Sequence, residues 1–167
     1  MQDEVDRLVA AWRRVRPDLD VSPLEVFSRI GRLARHLDRD RRAAFAEHDL
    51  ETWEFDVLAA LRRSGEPHTL SPGQLMTQTL VTSGTMTNRV DRLVDKGLVE
   101  RAPDPRDRRG VQVRLTRRGR ERVDAAMTDL LEREQVLLAR LSSADRRALA
   151  MQLRTLVLPF DEPAAEG

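Results

Sequence analysis

Along this chain apolar residues return every three or four positions almost throughout, and every second position in one short stretch. The wider spacing marks helix and the narrower one marks strand. Residues 3–15 form a first amphipathic segment, which stops at Arg16-Pro17-Asp18 because proline disfavours helix in the residue before it. Ser22-Pro23 restarts the helix, with serine as N-cap and proline at the first helical position. Val26, Ile30, Leu33 and Leu37, with Phe27 and Ala34 beside them, carry it toward about His48. Thr52 is expected to cap a third helix, TWEFDVLAALRRSG, which Ser64-Gly65 ends.

The densest information lies between Ser71 and Thr116. Ser71-Pro72 opens a short helix, PGQLMTQT, and Leu80-Val81-Thr82 makes a turn. Ser83 is expected to cap a second helix, SGTMTNRVDRLVDKG, closed by Gly97. A strand at Leu98–Ala102, a Pro103–Gly110 loop and a return strand at Val111–Leu115 follow, with Val111, Val113 and Leu115 alternating inward. The loop is too long for a two-residue hairpin turn. Helix, turn, helix, strand, arginine-tipped loop, strand is the order of a winged helix-turn-helix. Such a unit sets one helix in a DNA major groove and a basic loop against the neighbouring backbone or minor groove.

After this unit, Thr116 caps a long helical region striped by Val123, Met127, Leu130, Leu131, Leu137, Leu138 and Leu141. Ser142 caps another helix, carrying Leu149, Leu153, Leu156 and Val157, and residues from Pro159 read as a short, frayed acidic tail. The predicted fold class is therefore mainly α with a small β-wing: a winged helix-turn-helix with N- and C-terminal dimerisation helices. The expected divisions are N-terminal helices at 1–50, which dimerise and could cover a ligand pocket, and the winged domain at 51–116. C-terminal dimerisation helices at 117–158 and the tail at 159–167 complete them. The long helices carry more apolar surface than a small winged domain can cover. A homodimer is the expected solution, against the alternative of an intramolecular bundle.

Charge sharpens the picture. The net charge is only +1, yet residues 83–122 hold 12 Arg and Lys against 6 Asp and Glu, leaving 17 against 22 elsewhere. Basic charge gathered on one face suits a phosphate-binding surface. The 4% aromatic content, with no Tyr, argues against a base-stacking single-strand binder. No apolar run approaches the ~20 residues of a membrane helix, and the first residues are acidic rather than signal-like, so a cytoplasmic location with no membrane partner is expected. Without cysteine there is no disulfide framework and no thiolate metal site. His36, His48 and His68 are scattered, and no nucleophile motif or Gly-rich phosphate loop occurs. No catalytic residue, metal or cofactor is assigned, and an enzyme acting on a small metabolite is the disfavoured alternative.

The candidate DNA contacts follow from position. Ser71 heads the first helix of the motif; Ser83, Thr85, Met86, Thr87, Asn88, Arg89 and Arg92 occupy the start and polar faces of the second. Short polar residues at a helix N-terminus suit phosphates, Thr or Met can touch a thymine methyl, and Asn88 and Arg92 are candidates for base edges. Arg106, Arg108 and Arg109 crown the loop, with Asp107 supporting Arg109 for entry to a minor groove. The rival use of such a fold is a protein-interaction module with no effector.

Asp107–Gly119, DRRGVQVRLTRRG, together with TSGTMTNR (Thr82–Arg89) and RLVDKGLVER (Arg92–Arg101), resembles the MarR family of bacterial ligand-responsive repressors. The likeness covers about Leu24 to Leu156. It implies a dimer with two winged lobes on a pseudo-palindromic double-stranded operator, and a small-molecule pocket between the dimerisation helices and the DNA-binding lobe. A narrower likeness, to the urate-responsive subset of that family, rests on Trp12, Asp56, Arg89 and Arg101. It implies that the arginines pair with an anionic effector, a urate-like purine or a small carboxylate, while Asp56 takes its N–H groups and Trp12 stacks on it.

Overall fold

The computed structural model of the chain describes residues 2–104 and 110–161. Its elements run α1 (Glu4–Val15), α2 (Ser22–Ala46), α3 (Thr52–Arg63), β1 (Thr69–Leu70), α4 (Pro72–Thr79), α5 (Ser83–Asp95), β2 (Val99–Pro103), β3 (Val111–Leu115), α6 (Arg117–Leu138) and α7 (Ser143–Asp161). Mainly helical, with one small antiparallel sheet, it is the winged helix-turn-helix that the residue pattern predicts.

Helix starts account for most boundaries. Asp3 and Asp6 cap α1 reciprocally, each carboxylate accepting the other's backbone N–H at 2.9 and 2.8 Å. Ser71 heads α4 in the same way with Gln74, at 3.2 and 2.9 Å. Thr116 Oγ1 accepts the Gly119 N–H at 3.0 Å, and Ser142 Oγ accepts that of Asp145 at 3.1 Å. Three expected caps fall one residue late: Val21, Glu51 and Thr82 are the N-caps, and Ser22, Thr52 and Ser83 are already helical. At the first two another group takes up a backbone N–H, while the start of α5 has no side-chain cap. Asp20 accepts the Ser22 N–H at 2.9 Å, and Glu54 accepts that of Glu51 at 2.9 Å.

The sheet has strand order β1-β3-β2, all antiparallel. The two-residue β1, unforeseen in the sequence, pairs Thr69 with Arg114 and Leu70 with Val113, and is too short to show any periodicity. β2 starts at Val99 rather than Leu98, because the Leu98 N–H still closes α5 on the Leu93 carbonyl at 2.9 Å. Of the alternating trio, Val113 and Leu115 are buried but Val111 is exposed, since it pairs with Pro103 at the loop end of the sheet. α7 continues through Pro159 to Asp161, beyond the expected stop. In a last turn the ring forfeits only one backbone hydrogen bond.

The chain divides into two compact units, Met1–Leu130 and Leu131–Gly167. In the first, Phe45, Leu58, Leu61, Leu75, Met86, Leu93, Leu98, Val113 and Val123 form one buried core, with Phe45 stacked on Phe55 at 3.9 Å between centroids. Val5, Val9 and Val21 make a small second cluster holding α1 to α2. Arg29 ties the same two helices electrostatically, reaching Asp3 at 2.8 Å and Asp6 at 2.6 Å, and its hydrogen bond draws the Asp3 carboxyl down to about 2. In the second unit α7 has no buried residue, and Leu149, Leu153, Leu156 and Val157 are all exposed.

Candidate nucleic-acid interface

α4, a tight turn and α5 form the centre of the site. Leu80 closes α4 in a left-handed conformation (φ 53°), its N–H on the Met76 carbonyl, and lies 92% exposed at the corner. Leucine at such a position gains nothing from burial; the turn geometry dictates the residue's placement. Beyond it, α5 buries the i, i+4, i+7 stripe of Met86, Val90 and Leu93 against the core. That phase leaves Ser83, Thr85, Thr87, Asn88 and Arg92 exposed and Arg89 half-buried.

Met86 corrects the sequence reading. It is fully buried, so its thioether is a core group and is turned away from any thymine methyl. Thr87 Oγ1 returns to the Ser83 carbonyl at 3.1 Å, and Thr85 Oγ1 lies 3.0 Å from Thr82 Oγ1. No acidic residue stands in the first turn of α5. Its free N–H groups and positive dipole end are therefore available to an anion.

A cleft of about 450 Å³ opens beside this helix, lined by Trp53, Gly84, Thr85, Asn88, Arg89 and Arg92. Trp53, from the first turn of α3, is its aromatic wall. The Arg89 and Arg92 guanidiniums sit 5.4 and 4.8 Å from the Trp53 ring centroid, within cation–π range. Glu51 completes the group. Its Oε1 accepts from Arg92 Nη2 at 2.7 Å and its Oε2 from Trp53 Nε1 at 2.8 Å. The indole N–H, and after it the arginine, hold the Glu51 carboxyl below the ordinary range. One helical turn on, fully buried Glu54 meets the Lys96 ammonium at 2.6 and 2.8 Å, fastening the end of α5 to the start of α3. Glu51, Trp53, Glu54 and Lys96 carry no local signal in the sequence, because only the α3–α5 packing makes them neighbours.

The four residues expected at an effector are differently engaged. Asp56 faces Arg41 at 3.7 Å, Arg101 pairs with Asp91 at 2.7 Å, Arg89 lies on Trp53, and Trp12 on α1 is 45% exposed. Asp56 follows Trp53 by three residues and so shares its side of α3. The expected wing group of Arg106, Asp107, Arg108 and Arg109 lies outside the described residues. The strands beneath it are joined by the Asp104 N–H on the Gly110 carbonyl at 2.9 Å and by Arg114 on Glu100 at 2.6 Å.

The histidines stay apart. His48 faces Asp129 at 3.7 Å, and buried His68 lies 3.2 Å from Glu66. Among the described residues there is no cluster fit to hold a metal, and no helix long and apolar enough to cross a membrane.

Comparison with known proteins agrees with this geometry. A model of the MarR family matches residues 48–110. The chain is 36% identical to the HTH-type transcriptional regulator PecS of Dickeya dadantii (strain 3937), over 87% of its own length and 88% of that protein. A mutant MarR from E. coli complexed with operator DNA aligns with TM-score 0.60 at 28% identity, covering 83% of this chain and 99% of that one. BpsR of Bordetella bronchiseptica, whose DNA binding is regulated by 6-hydroxynicotinic acid, aligns with TM-score 0.58 at 29% identity, covering 76% and 91%.

Proposed function

Since the chain belongs to the MarR family of transcriptional regulators, we propose that it is a ligand-responsive repressor that binds a pseudo-palindromic DNA operator as a homodimer. The observation that carries this reading is α5. It presents Ser83, Thr85, Thr87 and Asn88 to solvent above a buried Met86–Val90–Leu93 stripe, with an uncompensated N-terminus. Backbone N–H groups there meet phosphate, Ser71 adds a second phosphate donor from the head of α4, and Asn88 is long enough to pair with an adenine edge. Arg106, Arg108 and Arg109 of the loop, supported by Asp107, are assigned to the flanking backbone and minor groove. The winged unit is residues 51–116, and residues 1–50 and 117–158 dimerise. The exposed apolar faces of α2 and α7 favour that assignment.

The effector in this proposal is a small anion, a urate-like purine or a small carboxylate, taken by Trp12, Asp56, Arg89 and Arg101. Its arrival exchanges Arg101's pairing with Asp91, and Asp56's with Arg41, for contacts to the ligand. Drawing Arg89 from Trp53 moves the helix that carries it, which couples the two sites through one rigid element. The likeness to PecS and to BpsR supports a ligand-responsive regulator.

Fluorescence anisotropy on promoter fragments tests the whole reading. Affinity should drop by roughly 10³–10⁵ between ~50 and ~200 mM salt if six to ten phosphates are contacted. A salt-insensitive complex, or capture of protein but no duplex, returns the protein-interaction alternative. In the same assay Asp56→Ala should keep operator binding and lose release by urate or citrate. Release retained by that variant removes Asp56 from the effector site.

A further inference from the structure

Thr85, Asn88 and Arg92 occupy positions i, i+3 and i+7 of α5 and so belong to one stripe of the helix. All three are exposed, but the Arg92 guanidinium is turned back to α3, over the Trp53 ring at 4.8 Å and on Glu51 Oε1 at 2.7 Å. Glu51 is itself fixed, since its second oxygen holds the Trp53 indole at 2.8 Å and its N–H is spent on Glu54. An exposed ion pair alone is worth little. Here it acts together with a cation–π contact and an anchored carboxylate, and all would have to be given up together for Arg92 to reach a phosphate.

We propose that Glu51 withholds Arg92 from DNA. The arginine is then a positioning residue that clamps the recognition helix to α3, and Glu51 sets how many cations that helix offers to the duplex. The physical content is a subtraction. A basic helix with every arginine free binds any DNA through phosphate contacts, whereas one with an arginine internally neutralised keeps a larger share of its affinity for base edges. The proposal rests on the reading of α5 as the helix that enters the groove.

Salt dependence on a random-sequence duplex counts phosphate contacts directly, so the test compares the full chain with Glu51→Gln, Arg92→Gln and the double variant. The parent and Arg92→Gln should share one slope of log affinity against log salt. Glu51→Gln should steepen it by about 0.9 for each arginine freed, about 1.8 for two helices on one duplex. Between ~50 and ~200 mM salt that is a further loss of roughly 12-fold, and the double variant should return to the parental slope. Glu51→Ser, a stronger N-cap for α3, repeats the measurement should the glutamine variant fold poorly. An unchanged slope in a folded Glu51 variant overturns the proposal. So does a shallower slope for Arg92→Gln alone, or a double variant that stays steep. A parent that ignores duplex DNA altogether overturns the reading of α5 as well, which separates the two failures.

Discussion

Met86 and Asn88 are two positions apart on α5, and the helix sends one inward and the other to solvent. Met86→Ala removes a fully buried side chain from the core, at a cost of about 2–5 kcal/mol readable as a lower denaturant midpoint. Asn88→Ala should leave stability within about 0.5 kcal/mol and instead relax base preference at one operator position, by about 1–3 kcal/mol in a binding-site selection. The contrast is diagnostic. If Met86→Ala changed selectivity with no loss of stability, the phase of α5 would be wrong. The polar face of α5 was legible in the sequence because Ser83, Thr85 and Asn88 cluster ahead of the apolar positions Val90, Leu93 and Val94. The inward limit was legible too, and the reading of Met86 as a DNA contact passed over it: Met86 stands four residues before Val90 and seven before Leu93, in phase with the buried stripe.

At the scale of elements, the junction of β2 and α6 is closed so closely that Gly119 has no room for a side chain. A methyl group on Gly119 would lie 2.0 Å from the Leu98 carbonyl oxygen, which is backbone and cannot swing aside. Gly119→Ala should therefore cost at least the upper end of the ~1–3 kcal/mol typical of overpacking. For a chain of this size that is a fall in melting temperature of roughly 6–12 °C by circular dichroism. A melt matching the parent would mean that α6 can lift from the sheet. The elements themselves were legible from local chemistry: Ser71-Pro72, Thr116 and Ser142 each head the helix that they announce. What local chemistry could not supply was the short β1, which exists only because β3 offers it an edge, and the clamp of Glu51, Trp53 and Arg92, which depends on two helices meeting.

For the whole molecule, the decisive quantity is apolar surface left uncovered. Phe27, Ile30 and Leu33 on α2 are exposed within the first unit, and Leu149, Leu153 and Leu156 on α7 within the second. A two-fold pairing that buries both sets follows from the proposed homodimer. Leu149→Asp with Leu153→Asp should shift sedimentation to the monomer, and operator affinity should fall by roughly 10²–10⁴ as the second half-site stops assisting the first. A double variant that sediments as the parent does would exclude α7 from the interface.

The pairing of Lys96 with Glu54 extends from stability into chemical labelling. This chain has a single lysine, 40% exposed along its side chain, and its amine lies 2.6 Å from the fully buried Glu54 carboxylate. An acyl group placed on that nitrogen would erase the cation that pairs with Glu54 and leave a stranded charge in the interior. Side-chain acylation, which in this sequence can fall only on Lys96, would thus loosen the seat of α5 on α3.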